Sequence, residues 1–86
     1  MGQKSLTRDE IFLCKLAELA ESLGDLFQEI DCYQIGQAMG QNNRSVDNIV
    51  RMLAQTNFLK KGEGTLVYIT KHGFSLVEML RKSLMS

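Results

Sequence analysis

The sequence predicts a mainly α-helical fold with one small β hairpin, in the order helix, helix, helix, hairpin, helix. Apolar residues recur at helical spacing, and three of the helical segments begin at a residue that can cap a helix. One β-branched and aromatic run is bounded by glycines, which is typical of a hairpin. Chains divide into several cores only at two or three times 86 residues, so we expect one domain over residues 1–86.

The first helix is predicted to begin at a capping box, in which Thr7 and Glu10 each accept a hydrogen bond from the other's backbone N–H. Leu6 and Ile11 are spaced as a hydrophobic staple around this cap. Gly24 is expected to end the helix. The inward stripe is predicted to contain Phe12, Leu16, Leu19, Ala20 and Leu23.

A second helix is predicted from the cap at Asp31 to Met39, and Gly40 is expected to end it in the left-handed conformation. The preceding stretch 26–30 is too short to assign, and a brief strand is one possibility. A third helix is predicted over residues 43–56, with Asn57 at its end. Its inward stripe is Val46, Ile49, Val50 and Leu53.

The hairpin is predicted over residues 58–69, with its turn at 61–64. Thr70 is then expected to cap a last helix. The inward residues of that helix are predicted to be Leu76, Val77, Leu80 and Leu84.

The second and third helices meet the physical requirements of a helix-turn-helix. Two helices joined by a short turn must approach closely, which requires a small residue midway along the first of them, and Gly36 supplies it. Gly40 lies in the turn, and Val46 and Ile49 are placed to lock the third helix onto the second. One residue departs from the usual pattern, because the position after the turn glycine is commonly apolar and here is Gln41.

The stretch from Ile35 to Leu59, continued by the hairpin and by Ile69-Thr70-Lys71-His72-Gly73, resembles the winged helix-turn-helix domain of bacterial transcription regulators. Within that family it is most similar to the MarR-like group, with Asn57 where the pattern usually has Gly. The resemblance implies a three-helix core, a β wing and a C-terminal helix, together with DNA binding. Winged helices also serve as protein-binding modules, so the resemblance is more specific for fold than for function.

The outward face of the third helix carries side chains that suit DNA recognition. At 100° per residue, Arg44, Asn48, Arg51 and Gln55 fall within about 60° of one another. Arg can bridge guanine O6 and N7, and Asn and Gln can bridge adenine N6 and N7. We include Asn43 and Ser45, at the start of the helix, among the candidate DNA-binding residues. The alternative is an ordinary solvated helix face, although such faces more often carry Glu and Lys.

The hairpin is expected to act as a wing, with Lys60 and Lys61 on the phosphate backbone. Glu63 at the wing tip and Asp47 at the edge of the helix face weaken this expectation. One protomer offers too few cations for tight binding at physiological salt, so a homodimer is expected. Apolar residues outside the inward stripes are candidates for its contact: Ile11, Phe74, Met79 and Met85.

Charge is unevenly distributed although the chain as a whole is neutral. Residues 1–31 carry three basic and seven acidic side chains, which gives −4, and residues 32–86 carry seven basic and three acidic, which gives +4. Such asymmetry indicates either an anionic partner or mutual attraction of the two parts on the folded surface. The longest apolar runs are four residues, far below the roughly 20 needed to cross a bilayer, so no membrane association is expected.

Catalytic and cofactor chemistry is not expected. His72 is the single histidine and has no nucleophile or carboxylate at a suitable spacing, and the glycines form no phosphate loop. Cys14, on the solvent side of the first helix, and Cys32 fit free thiols in a reducing, cytoplasmic compartment, with no zinc spacing. A redox role for these thiols would require a lowered pKa, which the sequence does not indicate.

The sequence therefore predicts a transcription regulator, not an enzyme, that binds double-stranded DNA sequence-specifically. It inserts helix 43–56 in the major groove and uses the 58–69 hairpin as a wing, with no metal or cofactor. The alternative is a winged-helix protein–protein interaction module without DNA binding. A structural or accessory fragment with no nucleic-acid role is the third possibility.

Overall fold

A computed structural model describes residues 6–85 of the chain, and the side chains of residues 6–83. The fold is mainly helical with a small three-stranded antiparallel sheet. In chain order the elements are α1 (Arg8–Ser22), β1 (Ile30–Asp31), α2 (Cys32–Met39), α3 (Asn43–Gln55), β2 (Leu59–Lys61), β3 (Leu66–Ile69) and α4 (Lys71–Met85). Within the described part of the chain, no helix has the length and apolar character needed to cross a membrane.

The helices begin where the sequence predicts them, because short polar side chains satisfy the first free backbone N–H groups. The capping box of α1 is present in both directions, with Thr7 Oγ1 accepting from the Glu10 N–H at 3.2 Å and Glu10 Oε1 accepting from the Thr7 N–H at 2.9 Å. Asp31 caps α2 through the Tyr33 N–H. Thr70 Oγ1 accepts from the N–H of Gly73 at 3.0 Å at the start of α4.

The ends of α2 and α3 are confirmed as well. Gly40 takes the left-handed conformation at φ 76°, and Asn57 does so at φ 66°. Asn is the next best residue after Gly there, because its short polar side chain tolerates this region. The helix predicted over 43–56 ends at Gln55, with Thr56 as its C-cap.

The inward stripe predicted for α1 is partly wrong. Leu23 is 64% exposed because the helix ends before it, and Leu19 is only half-buried. Leu13 and Ala17, outside the predicted stripe, are fully buried. The cause is that α1 packs against α2, α3, α4 and the sheet, so the buried arc is wider than a single stripe. Its buried residues are Phe12, Leu13, Leu16, Ala17 and Ala20.

The sheet contains a strand that the sequence left unassigned. β1 pairs antiparallel with β3, Ile30 opposite Val67, and the strand order is β1-β3-β2. Of the stretch 26–30 only Ile30 belongs to it. The predicted hairpin is confirmed, because β2 and β3 pair antiparallel with Leu59 opposite Ile69. The first strand begins at Leu59, one residue after the predicted start of the hairpin at residue 58.

The core lies between α1, the stripe of α3 and the inner face of the sheet. Val46, Ile49, Val50 and Leu53 are all buried, which confirms the stripe predicted for α3. The sheet contributes Ile30, Leu59, Val67 and Ile69. From α4, Val77 and Leu80 are buried and Leu76 is half-buried, whereas the side chain of Leu84 lies outside the described ones.

Candidate nucleic-acid interface

The orientation of α3 depends on its close contact with α2. A Cβ atom built at Gly36 would overlap Cγ2 of Val46, so only glycine allows this approach. The chain leaves α2 through Gly40, and the N–H of Gln41 donates to the Gly36 carbonyl at 2.9 Å. Gln41 is half-buried, so the polar residue found where this motif commonly has an apolar one still packs partly inside the turn. These contacts hold α3 with one side buried and the other in solvent.

The four side chains predicted to face outward from α3 are all exposed: Arg44, Asn48, Arg51 and Gln55. We refer to them as the α3 face. Among residues 6–83 no carboxylate lies within ion-pair distance of either arginine. Arg51 donates a hydrogen bond to Asn48 Oδ1, one turn earlier. This exposed hydrogen bond holds the guanidinium and the amide side by side. Its net energy is small, so Arg51 can exchange Asn48 for another acceptor at little cost.

The two further candidates at the start of α3 lie differently. Asn43 is exposed, and Ser45 is half-buried with its N–H bonded to Oδ1 of the cap residue Asn42 at 2.9 Å. Ser45 borders a groove whose other wall is the beginning of α1. It therefore lies at the flank of the α3 face and not at its centre.

The two candidate wing lysines project to different sides of the sheet. Successive residues of a strand point to opposite faces, and β2 carries Lys60 and Lys61 in succession. Lys61 borders a small cavity beside α2 and α3. Lys60 borders a separate groove together with Lys71 and His72 at the start of α4. Both are exposed, but only Lys61 is on the side of α3.

The turn of the hairpin is acidic. Glu63 is exposed in this turn, and the side chain of Glu29 lies against Gly62, where a Cβ would overlap its Oε2. Two carboxylates at the tip repel a phosphate backbone, because like charges in proximity raise the energy of binding. On the side of α3, the cationic residue of the hairpin is thus Lys61 in strand β2, and the turn itself is anionic.

Asp47, at the edge of the α3 face, is engaged within the fold. The hydroxyl of Tyr33 on α2 donates to Asp47 Oδ1 at 2.6 Å. This hydrogen bond, helped by partial burial and by the charge of Asp47, raises the pKa of Tyr33 to about 12. The contact joins α2 to α3 on the side of Lys61, and the sequence gives no signal for it because the partners are 14 residues apart.

Two further side chains near the α3 face were missed from the sequence. Met52 is 52% exposed and borders the same groove as Asn48. It was overlooked because an exposed Met on a polar face has no distinctive spacing, although a thioether can contact a thymine methyl group. Arg8, in the first turn of α1, also borders this groove. Arg8 was missed because only the packing of α1 beside α3 brings it to this groove.

The two thiols are wholly or partly buried, and the single histidine is stacked on an aromatic ring. Burial raises the pKa of both Cys14 and Cys32, which disfavours the nucleophilic thiolate. Cys14 is half-buried and packs against the core, so its predicted solvent-side position is only partly correct. His72 is exposed and stacks on Phe58 with ring centroids 4.6 Å apart. Residues 6–85 contain no cluster of three His, Cys, Asp or Glu side chains that could hold a metal ion.

Comparison of the chain with family models, with curated proteins and with solved structures found no match. The functional proposal therefore depends on the geometry and charge of the α3 face and its surroundings.

Proposed function

We propose that the chain is a winged helix-turn-helix domain that binds double-stranded DNA sequence-specifically and regulates transcription. The observation that carries the proposal is the α3 face, on which two guanidinium groups and two amides stand exposed on a helix whose opposite side is fully packed. An α-helix of this width fits the major groove, and Arg, Asn and Gln are the side chains that bridge two atoms of one base.

The order of the elements supports the winged-helix part of the proposal. A helix and a short strand precede the pair α2–α3, and a hairpin follows directly. The tight α2–α3 contact at Gly36 is what a helix-turn-helix requires. In the proposed complex α3 enters the major groove, and the hairpin lies beside it with Lys61 toward the backbone.

Specificity in this proposal comes from Arg44, Asn48, Arg51 and Gln55. Each well-formed bidentate pair contributes about 1–3 kcal/mol of discrimination against a wrong base pair. Their hydrogen bond already holds Arg51 and Asn48 side by side, so the two side chains would contact neighbouring base pairs together. Arg44, nearer the start of α3, is placed for a base or a phosphate at the entrance of the groove.

Tight binding requires more cations than one protomer offers near the α3 face. We therefore propose that the domain acts as a homodimer on two half-sites about one helical turn apart. Met79 on α4, 67% exposed, is one apolar contact available for a second copy. Ile11 is half-buried, and the side chain of Met85 lies outside the described ones. Phe74 is half-buried against the core, so it contributes less than its position in the sequence suggests.

A protein-binding winged helix is the second candidate, and the acidic hairpin tip favours it. Glu29 and Glu63 suit a basic partner surface and oppose a phosphate backbone. Exposed Leu23 and Phe27, which follow α1, add apolar area at another part of the surface.

The two candidates are distinguished by fluorescence anisotropy with duplexes selected from a random pool, measured across a salt series. The DNA proposal predicts binding whose log affinity falls linearly with log salt, and loss of binding in Arg51→Glu with an unchanged circular dichroism spectrum. Lys82→Glu, which makes the same charge change in the last turn of α4, is the matched control. Its affinity for DNA should fall only by the small amount that a change in net charge causes. Absence of binding to every duplex at low salt would reject the DNA proposal.

A further inference from the structure

The beginning of α1 forms one wall of a groove beside the α3 face. Thr7 and Arg8 line it from the side of α1, and Ser45, Asn48 and Met52 line it from α3. Asn48 belongs to the α3 face itself, so this groove opens onto the surface proposed to meet DNA. The first turn of α1 is therefore part of the same surface, although more than 30 residues of chain separate it from α3.

Arg8 is available for an anionic partner in this groove. It is exposed, and among residues 6–83 the ion pairs join other residues, Lys15 with Glu18 and Arg81 with Glu21. Asp9, its neighbour in the chain, forms no ion pair with Arg8 among these side chains, and Glu10 has one carboxylate oxygen bonded to the Thr7 N–H in the capping box. The guanidinium of Arg8 thus keeps its donors, which match phosphate oxygens in a bidentate manner.

The surroundings of α3 place cations on both of its flanks. On a helical wheel Ser45 and Met52 lie on one side of the α3 face, and Asp47 lies on the other. Arg8 borders the first flank, and Lys61 borders the cavity of Tyr33 and Asp47 on the second. A helix in the major groove has one phosphate backbone along each flank, because the groove is about 12 Å wide. The two cations are positioned for opposite walls of the groove.

From this placement we infer that Arg8 binds a backbone phosphate of duplex DNA on the strand opposite the one that Lys61 faces, so that α1 belongs to the DNA interface. The inference rests on the proposed function. Asp9 lines the same groove, and its carboxylate repels a phosphate placed there, so removal of this charge should strengthen DNA binding.

The test measures duplex affinity across a salt series for the whole chain and the variants Arg8→Gln, Arg8→Lys and Asp9→Asn. Loss of one phosphate contact should make the slope of log affinity against log salt less steep by about 0.9. If the variant and the unsubstituted chain have equal affinities when extrapolated to 1 M salt, the variant then binds about eightfold more weakly for each tenfold reduction in salt. Arg8→Gln should show this loss equally on selected and unselected duplexes. Arg8→Lys should keep the slope, and Asp9→Asn should bind about twofold more tightly at low salt.

Lys82→Gln removes one positive charge from the last turn of α4 and is the control for overall charge. An Arg8→Gln slope equal to that of the unsubstituted chain, with binding retained, would overturn the inference and leave the proposed function standing. A change in Lys82→Gln as large as that in Arg8→Gln would also overturn it, because the effect would then be one of net charge. If the unsubstituted chain binds no duplex, the proposed function fails and the inference fails with it.

Discussion

Replacement of Gly36 by Ala tests how α3 is held. Alanine normally stabilises a helix interior by up to about 1 kcal/mol relative to glycine. At Gly36 the added Cβ would overlap Cγ2 of Val46, which is fully buried. Val46 has a β-branched side chain with restricted χ1, so it cannot rotate away without meeting the core. Relief therefore requires α2 and α3 to move apart.

The expected magnitude follows from these opposing terms. Overpacking of a well-packed site costs about 1–3 kcal/mol, and the helix-propensity gain offsets part of it. We expect Gly36→Ala to lower the free energy of unfolding by about 1–2 kcal/mol. For a domain of this size that corresponds to a decrease in Tm of about 5–15 °C.

A second substitution separates the overlap from other causes. Val46→Ala alone removes two buried methyl groups and should cost about 2 kcal/mol. In the double variant the methyl group introduced at position 36 occupies space that Val46 vacated, so the combined loss should fall below the sum by at least about 1.5 kcal/mol. Gly40→Ala is the control, since its Cβ would meet no atom within 4 Å and its φ of +76° makes the cost conformational.

Urea denaturation monitored by circular dichroism measures these free energies for the unsubstituted chain, Gly36→Ala, Val46→Ala and their double variant. The control is Gly40→Ala, measured alone and combined with Val46→Ala. Additive losses in Gly36→Ala and Val46→Ala would refute the close contact as the reason for glycine. An unchanged or raised stability in Gly36→Ala would refute it as well. Losses in Gly40→Ala and Val46→Ala should be additive within about 0.5 kcal/mol.

Two further predictions concern pH. Because hydrogen bonding to Asp47 raises the folded-state pKa of Tyr33 to about 12, above its ordinary 10.0, its stabilising effect is complete below pH 10 and is lost between pH 10 and 12. The difference in unfolding free energy between the unsubstituted chain and Tyr33→Phe should stay constant from pH 7 to 9 and shrink above pH 10; a constant difference throughout would contradict this origin. Hydrogen bonds from Arg81 lower the pKa of Glu21, so this pair stabilises above the ordinary Glu pKa and ceases to do so as the pH falls through the lowered folded-state value. Arg81→Gln should cost at most about 1 kcal/mol at pH 7, as for exposed ion pairs, and nothing at pH 2; an equal cost at both values would indicate packing instead.

Local chemistry explains the parts of the fold that the sequence predicts well. Thr7, Asp31 and Thr70 cap helices with bonds to residues two or three positions ahead, and Gly40 and Asn57 end helices through their own backbone conformation. Such signals need no knowledge of distant segments. The buried stripe of α3 is equally local, since one side of that helix faces the core and the other faces solvent.

Parts that depend on distant contacts were not predictable in the same way. β1 is two residues long, and only its pairing with Val67 and Leu66 defines it as a strand. The fully buried Leu13 and Ala17 follow from the central position of α1 between other elements. Leu13 and Ala17 are themselves at helical spacing, so periodicity allowed a wider apolar stripe but did not show how much of it would be buried.

In the candidate site, too, the sequence predicts the features that depend on one element and misses those that depend on packing between elements. The α3 face was predicted from helical geometry, and its four side chains are exposed. The separation of Lys60 from Lys61 follows from strand alternation once β2 is defined, but adjacency in the sequence suggested a joint role. The groove that Arg8 and Asn48 both border and the hydrogen bond from Tyr33 to Asp47 result from packing between helices, which the sequence does not show.

The central claim, that the α3 face meets duplex DNA, is tested most directly by amide chemical-shift mapping of the isotopically labelled chain titrated with a selected duplex. The account predicts the largest shifts in residues 43–55, smaller ones at Arg8 and Lys61, and little change at Leu23 and Phe27. Saturable shifts concentrated at Leu23, Phe27 and α4, with α3 unchanged, would contradict it.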